Sequence, residues 1–280
     1  LRDVLKHKNL TRIKGDVLDP AKLNRSVPDK VDIFIHLAAI AGVSSYYLVP
    51  ARTMVTNIIG TYNILDVLTR RKIHRRMLRF LNFSTSEVYA NHANRIKEDH
   101  ETVQGGIKEK RWTYSLSKLA AEKLSFCYNW ERGLPVVSIR PFNIYGPGQV
   151  GEGAIQIFIT NALKNKNINV TGNGKQVRAW CYIDDLIDGV FRILRTKEAV
   201  GNTFNIGNER ASVTTIELAR KIKEITGSRS KIRFTPHIGT DIKLRVPDIK
   251  KARDILGYRP RVGLEKGLLE TIEWQKGRRF

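Results

Sequence analysis

The sequence predicts an α/β protein with a doubly wound parallel sheet and a smaller domain towards the C-terminus. Two observations lead to this fold class. Apolar runs of strand length alternate with segments of helical period, which is typical of repeated βα units whose strands are buried on both faces. After Arg140 the alternation loosens and glycine and proline cluster, which indicates loops that leave the sheet. A chain of 280 residues is long enough to bury a core of this size.

The first half of the chain contains four predicted strands, and each is followed by a segment that can form a helix. The predicted strands are Leu10–Lys14, Val31–Leu37, Met77–Ser84 and Pro135–Arg140. The two longest helical patterns are Val49–Arg70 and Thr113–Arg132. This order favours parallel strands joined by helical crossovers.

The second half of the chain mixes single elements with loops. Glycine and proline at 145–153 and 171–175 predict loops. A helix is predicted at Asp184–Arg195 and a short strand at Thr203–Ile206. Three further helices are predicted near Thr214–Thr226, Asp248–Leu256 and Leu264–Gln275.

The charge balance is unusual. The chain has 49 Lys and Arg against 27 Asp and Glu, a formal net charge of +22, which favours anionic partners such as nucleic acid, anionic lipid or small phosphorylated molecules. The segment Arg70–Arg79 holds six Lys or Arg in ten residues. We interpret it as cations at the C-terminal end of a helix rather than a nucleic-acid site, because no aromatic residues alternate with them as a stacking surface.

Several protein classes are disfavoured by the sequence. Two cysteines, Cys127 and Cys181, form no disulfide framework, so we expect reduced thiols and a cytoplasmic location. The uncharged stretch Ile33–Ala51 resembles a buried strand followed by a loop and not a membrane-spanning helix. The six histidines are scattered without ligand spacing, and no metal site is predicted.

Two glycine-rich segments imitate phosphate-binding loops. Residues 146–151 match G-x-G-x-x-G, but they do not turn directly from a strand into a helix and no acid occurs after them at the expected distance. Residues 172–175 lack the other features of a P-loop. We therefore reject both as cofactor loops.

The strongest chemical signal is the pair Tyr114 and Lys118 near the start of a predicted helix. Residues four apart share a helical face, and a nearby ammonium lowers the pKa of a phenol from about 10. Thr85 and Glu87 follow a predicted strand, where parallel sheets place their active sites. Thr85 could instead cap the strand end, and Glu87 could be a solvated surface acid.

Together with other segments, these residues resemble the extended short-chain dehydrogenase/reductase family, in particular its nucleotide-sugar epimerases and dehydratases. Residues 57–61 match its N-x-x-G-T helix, and residues 140–147 match the loop that meets the substrate's phosphosugar. The resemblance implies a Rossmann-like dinucleotide-binding domain at 1–145 and 183–206, and a nucleotide-sugar domain at 146–182 and 207–280. It also implies a homodimer through the helices 49–70 and 113–132, with outward apolar candidates Ile58, Leu65, Leu124 and Tyr128.

The resemblance assigns roles to individual residues. The catalytic residues would be Thr85, Glu87, Tyr114 and Lys118. The cofactor would be held by Asp16, Val17, Leu37, Ala38, Ala39, Tyr114 and Lys118. A UDP- or dTDP-sugar would be held by Ser86, Asn143, Arg178 and Arg245, with the two arginines on the diphosphate.

One departure from the family pattern concerns the N-terminus. The sequence starts with a stretch that resembles the segment just after the family's first βαβ unit, so about 40 residues with the phosphate-binding glycines are predicted to be missing. The residue that separates NAD from NADP would lie in that unit. We expect NAD, because a redox-neutral reaction keeps one cofactor bound, and NADP stays open.

The implied reaction passes through a 4-keto sugar. Tyr114 would take the proton of the sugar 4-hydroxyl, with Lys118 and the nicotinamide charge lowering its pKa, and Thr85 would orient the oxygen. A carboxyl at Glu87 could remove the C5 proton, which slightly favours a 4,6-dehydratase over a 4-epimerase, with a decarboxylase third. The alternative from another class is a non-catalytic nucleic-acid-binding relative.

Overall fold

The computed structural model describes residues 2–91, 94–236, 240 and 242–277. Within these ranges the helices are α1 Arg2–Leu5, α2 Pro20–Ser26, α3 Val43–Leu48, α4 Pro50–Arg70, α5 Thr113–Arg132, α6 Ala154–Leu163, α7 Ile183–Arg195, α8 Thr215–Thr226, α9 Lys250–Leu256 and α10 Leu264–Lys276. The strands are β1 Ile33–His36, β2 Arg79–Phe83, β3 Asn94–Ile96, β4 Val136–Pro141, β5 Ile144–Tyr145, β6 Ile168–Thr171, β7 Val177–Ala179, β8 Cys181–Tyr182, β9 Asn202–Ile206, β10 Ser212–Thr214, β11 Ile232–Thr235 and β12 Leu244–Pro247.

The main sheet has the strand order β1-β2-β4-β9, and all its neighbours are parallel. Successive residues of its strands point to opposite faces of the sheet and pack into different hydrophobic cores. Phe80 packs towards α4, whereas Leu81 packs towards α7 and α9. Helices on both faces of a parallel sheet confirm the predicted fold class, and four of the five predicted strands are present.

The strand predicted at Leu10–Lys14 is wrong. These residues are exposed and irregular, and the described residues supply no strand that pairs with the outer edge of β1. A strand without a partner leaves its backbone hydrogen-bonding groups to water, so it has no reason to persist. On this same edge strand, Ile33 and Ile35 are 40% and 41% exposed.

The two long helices pack against each other on one face of the main sheet. Leu65 is fully buried in the core between α4 and the sheet, so its prediction as an outward residue is wrong. Val55, Ile59 and Tyr62 are the exposed apolar residues of α4. No helix in the described ranges is both long and apolar enough to cross a membrane.

The C-terminal part forms a second core from α6, α8 and α10 with the short strands β6 and β8. Beside it lies a sheet of order β10-β7-β12-β3. The register between the parallel strands β7 and β12 places Arg178 next to Arg245. The domain boundaries predicted from the sequence stay a prediction.

The basic segment Arg70–Arg79 is largely used inside the fold. Arg70 pairs with Asp66 one turn earlier, and Arg71 pairs with Asp29. The Arg79 side chain is buried and donates to backbone carbonyls at the end of α7. These contacts agree with the interpretation of the run as helix-end cations.

Candidate active site

The candidate site lies where β2 ends and α5 begins. Thr85 follows β2 and caps a short 3₁₀ helix at 86–89, since its Oγ1 accepts from the backbone N–H of Glu87 at 3.2 Å. Thr85 and Ser86 are both buried. Thr85 therefore caps the start of this 3₁₀ helix, not the strand end, and its hydroxyl lies close to α5.

Tyr114 lies in the first turn of α5, within hydrogen-bonding reach of the Thr85 side chain. Burial, and then the negative charge of Glu87, raise the pKa of Tyr114 above its ordinary value, and the hydrogen bond with Thr85 opposes them. That Lys118 lowers the pKa of this phenol stays a prediction.

Lys118 lies one turn after Tyr114 and is only 3% exposed. Burial lowers its pKa to about 8, and the carboxylate of Glu122 acts in the opposite direction. Its ammonium makes no hydrogen bond to any residue that the structure describes. An ammonium without a partner among the described residues can donate to a hydroxyl of a bound ligand.

Glu87 is bound by two arginines, and we call Glu87, Arg111 and Arg245 the Glu87 cluster. Arg111 Nη1 and Nη2 donate to its two carboxylate oxygens at 2.7 and 3.3 Å. Arg245 Nη1 donates to Oε1 at 3.3 Å. Burial alone would raise the pKa of Glu87, but the charges of Arg245 and Arg111 hold it below the ordinary value. The surface-acid alternative for Glu87 is therefore wrong.

The Glu87 cluster has unsatisfied donors. Arg245 Nε and Nη2 and the Tyr46 hydroxyl are buried and have no hydrogen-bond partner among the described residues. The Arg111 guanidinium lies 5.2 Å from the centre of the Tyr46 ring. One carboxylate and two guanidinium groups leave one positive charge unbalanced, so the cluster is suited to a second anion.

A second buried carboxylate lies one turn after Lys118, and we call Glu122, Arg140, Ser84 and Thr203 the Glu122 cluster. Arg140 Nε lies 3.2 and 3.1 Å from the two carboxylate oxygens of Glu122. The hydroxyls of Ser84 and Thr203 donate to the same carboxylate at 2.6 and 2.9 Å. Arg140 Nη1 also donates to the Tyr89 hydroxyl at 2.6 Å.

Sequence reasoning missed Arg111, Tyr46 and Glu122 as members of the site. Glu122 could have been found, because it lies four residues after Lys118 on the same helical face. Arg111 precedes α5 in a 3₁₀ helix, and Tyr46 lies on the six-residue helix α3. Neither has a spacing that relates it to Glu87.

The predicted cofactor residues lie in two segments, one before α2 and one after β1. The Asn63 amide donates to the Val17 carbonyl at 2.9 Å, which holds the segment of Asp16 and Val17 against α4. Leu37, Ala38 and Ala39 follow β1, and Leu37 is 63% exposed. His36, the last residue of β1, lies close enough to Lys118 for the charge of Lys118 to lower its pKa. That residues 37–39 hold the cofactor stays a prediction.

The predicted substrate residues are divided by the structure. Asn143 has a φ of +41°, a strained conformation for this residue, and its amide donates to the Ala179 carbonyl. Arg178 is half-buried and lies beside Arg245. Arg245 itself is in the Glu87 cluster, next to the residues that would contact the sugar. Its place on the diphosphate stays a prediction. Ser86 is buried and directly follows Thr85 in the chain.

The described residues contain no group of three or more His, Cys, Asp or Glu side chains that could hold a metal ion.

Comparisons with known proteins give the chain a family. The model of the NAD dependent epimerase/dehydratase family matches residues 2–207. A UDP-N-acetyl-alpha-D-glucosaminuronate decarboxylase of Bacillus cytotoxicus is 34% identical over 275 residues, which cover 95% of this chain and 83% of that protein. UDP-glucuronic acid decarboxylase 1 of Danio rerio is 34% identical over 272 residues, and the chain spans 61% of its length.

A similar solved structure is that of UDP-glucuronic acid 4-epimerase from Bacillus cereus in complex with UDP-glucuronic acid and NAD. It is 28% identical with a TM-score of 0.87, and the match covers 98% of this chain and 84% of that one. The expected fold, family and use of NAD are confirmed at the level of the family. With its Tyr114–Lys118 pair on α5 and its parallel sheet, the chain belongs to the NAD dependent epimerase/dehydratase family.

Proposed function

We propose that this protein is an NAD-dependent decarboxylase of a UDP-hexuronate, acting through a 4-keto intermediate. The observation that carries the proposal is the Glu87 cluster, in which two arginines surround one carboxylate and leave buried donors for a second. Two of the similar proteins are named as decarboxylases of nucleotide-linked uronic acids. The sequence analysis ranked a dehydratase first and a decarboxylase third, and this proposal reverses that order.

The state of Glu87 disfavours a dehydratase. Such an enzyme needs a base that removes the C5 proton of the sugar, and a base is effective when its pKa lies near the working pH. The pKa of Glu87 is held below its ordinary value by Arg245 and Arg111. A carboxylate bound in this way is a weak base and serves better as an anchor for the arginines.

Decarboxylation needs no such base. Once C4 of a hexuronate is a ketone, the C6 carboxylate is attached to the carbon beside that ketone. The C5–C6 bond breaks, CO₂ leaves, and its electron pair moves into the C4–C5 bond and onto O4 as an enolate. Hydroxyls of Tyr114 and Thr85 would donate hydrogen bonds to O4 and stabilise the negative charge that develops there.

The arginines would place the carboxylate. Arg245 Nε and Nη2 would donate to the two C6 oxygens as a bidentate pair, and the Tyr46 hydroxyl would add a third donor. Loss of CO₂ removes the negative charge that these groups hold, so the product would bind less tightly than the substrate. After CO₂ leaves, C5 would take up one proton from solvent, which balances the loss of the carboxylate. Return of the hydride to C4 and of the proton from Tyr114 to O4 would then give a UDP-pentose.

The cofactor residues are part of the proposal. NAD would be held by Lys118, Leu37, Ala38, Ala39 and the segment of Asp16 and Val17, and it would supply the hydride acceptor and donor for C4. Tyr114 would hold the proton of the 4-hydroxyl, and the buried site would exclude water from O4. For the nucleotide, Arg178 and Asn143 would hold the diphosphate and the phosphosugar.

The second candidate is a 4-epimerase of the same substrate. The same anionic pocket supports it, and a similar structure is named as a UDP-glucuronic acid 4-epimerase. The two reactions share the 4-keto intermediate and differ in whether the C5–C6 bond breaks before C4 is reduced. A dTDP-sugar dehydratase ranks third, because its substrate has no carboxylate for Arg245.

The test is product analysis after the protein is incubated with NAD and UDP-glucuronate. We expect release of one CO₂ and a UDP-pentose, detected by mass spectrometry and NMR, and no product from Tyr114→Phe. A UDP-hexuronate of unchanged mass and inverted C4 would establish the epimerase instead. Conversion of dTDP-glucose to a 4-keto-6-deoxy sugar would overturn the carboxylate site.

We also propose a homodimer through α4 and α5. Val55, Ile59 and Tyr62 form an exposed apolar strip on α4, and a two-fold axis would bury it against its own copy. Sedimentation should give a dimer at micromolar concentration, and Ile59→Asp should shift it to monomer. A monomer from the unaltered chain would contradict this. A cytoplasmic location stays a prediction.

A further inference from the structure

The face of α5 that points to the sheet carries three ionisable residues one turn apart: Tyr114, Lys118 and Glu122. Residues at i, i+4 and i+8 lie in one row along a helix. Lys118 and Glu122 are 3% and 2% exposed. The last residue of the row has no role in the proposed reaction, although its carboxylate accepts hydrogen bonds from Ser84, Arg140 and Thr203.

The Glu122 carboxylate joins α5 to three strands of the main sheet. Ser84, which donates at 2.6 Å, directly precedes Thr85 at the end of β2. Arg140 donates from β4, and Thr203 donates from β9 at 2.9 Å. One side chain therefore fixes the distance between the helix that carries Lys118 and the strand end that carries Thr85.

We infer that Glu122 is a positioning residue, which keeps the buried Lys118 protonated and holds the Tyr114–Lys118 face of α5 in register with Thr85. This inference rests on membership of the family and on the geometry, and it does not depend on which sugar is the substrate. Glu122 itself would touch neither the sugar nor the cofactor.

The charged and titratable groups around Lys118 leave Glu122 as the one that supports its charge. On β1, His36 bonds Thr61 at 2.9 Å, and burial followed by the charge of Lys118 lowers its pKa to about 3, so it is neutral. On β4, Arg140 directs its guanidinium at Glu122 and Tyr89. Glu87 acts on Tyr114, and the phenol of Tyr114 is protonated because its pKa is raised.

The balance between burial and Glu122 sets where Lys118 titrates. Burial brings the pKa of Lys118 down to about 8, and only the carboxylate of Glu122 acts against it. Without that carboxylate, Lys118 would lose its proton at a lower pH. It would then no longer offer a positive charge beside the phenol or three donors to a ribose.

The test measures Lys118 directly and needs no turnover. With lysine labelled by ¹³C at Cε, NMR should find one resonance that titrates near pH 8, and its loss in Lys118→Met assigns it. In Glu122→Gln we expect this midpoint to fall by at least about one pH unit, a tenfold change in the proton affinity. A midpoint that moves by less than about 0.3 unit would overturn the inference.

Matched variants separate this effect from general damage. Thr203→Val removes one hydrogen bond from Glu122 but leaves its charge, so the Lys118 midpoint should stay within about 0.3 unit, and a fall as large as in Glu122→Gln would contradict an electrostatic origin. If Glu122→Gln does not fold, Glu122→Gln with Arg140→Gln removes the pair together. The midpoint should still fall, and an unchanged or raised midpoint would overturn the inference.

Discussion

The Glu87 and Glu122 clusters are built from similar residues but differ in how many of their hydrogen-bonding groups have partners. Each holds a glutamate against a buried arginine, and Glu122 is buried whereas the Glu87 side chain is 17% exposed. Glu122 receives both bonds from Arg140 and two hydroxyl bonds. The Glu87 cluster has two guanidinium groups for one carboxylate, and two Arg245 nitrogens lack partners among the described residues.

The difference separates a scaffold from a binding site. A buried ion pair stabilises a fold only when its remaining hydrogen-bonding groups are satisfied. The Glu122 cluster meets that condition and fastens helix to sheet. The Glu87 cluster does not meet it, and the donors it leaves open are what a substrate carboxylate would fill. Unpaired buried groups in a native protein are expected at sites of function.

The largest expected effect comes from removing each arginine with a matched substitution. Arg140→Met leaves Glu122 as an unpaired buried carboxylate and should lower the free energy of unfolding by about 3–5 kcal/mol. Arg245→Met removes the unsatisfied donors while Arg111 still binds Glu87, so stability should stay within about 1 kcal/mol or rise. Urea unfolding of the two variants measures both. Equal losses would break the comparison.

The next effect concerns the nucleotide. Guanidinium groups bind diphosphate oxygens bidentately, whereas an ammonium offers a point charge. Arg178→Lys should weaken binding of UDP by roughly 1.5–3 kcal/mol, the scale of a charged hydrogen bond. Arg75→Lys, an exposed residue of the basic run, should change it by only about a few tenths of a kcal/mol. Calorimetric titration decides the matter, and equal effects would mean that diffuse charge holds the nucleotide.

The smallest effect compares two buried tyrosines. The Tyr89 hydroxyl accepts from Arg140 at 2.6 Å and donates to Asn205 at 2.9 Å. Tyr89→Phe should therefore cost about 1–2 kcal/mol of stability. The Tyr46 hydroxyl has no partner in the described part of the chain, so Tyr46→Phe should be neutral or slightly stabilising. Thermal unfolding of both variants checks this, and a larger loss at Tyr46 would show that its hydroxyl is satisfied.

Much of the fold was predictable, because hydrophobic period and helix length are local properties. The helices at 50–70 and 113–132 and the strand at 79–83 derive directly from them. Leu10–Lys14 has the apolar pattern of a strand but no neighbour, and strand pairing is not local. Leu65 was misplaced for the same reason, since both faces of α4 carry apolar residues and only packing tells them apart.

The site was predicted in its residues more than in its electrostatics. Tyr114, Lys118 and Thr85 come together because one helical turn and one strand end bring them there. The partners of Glu87 could not be predicted, because Arg111 is 24 residues away in the chain and Arg245 is 158 residues away. A glutamate that acts as a base and a glutamate that anchors arginines look the same in a sequence, and only the ion pairs in the structure distinguish them.

The net charge of +22 has a consequence for how the protein behaves in concentrated solution. Molecules of the same charge repel one another, which opposes their contact. Added salt shortens the range of the repulsion to about 8 Å at physiological ionic strength. Turbidity should therefore rise with ionic strength, and dilute buffers should keep the protein in solution best.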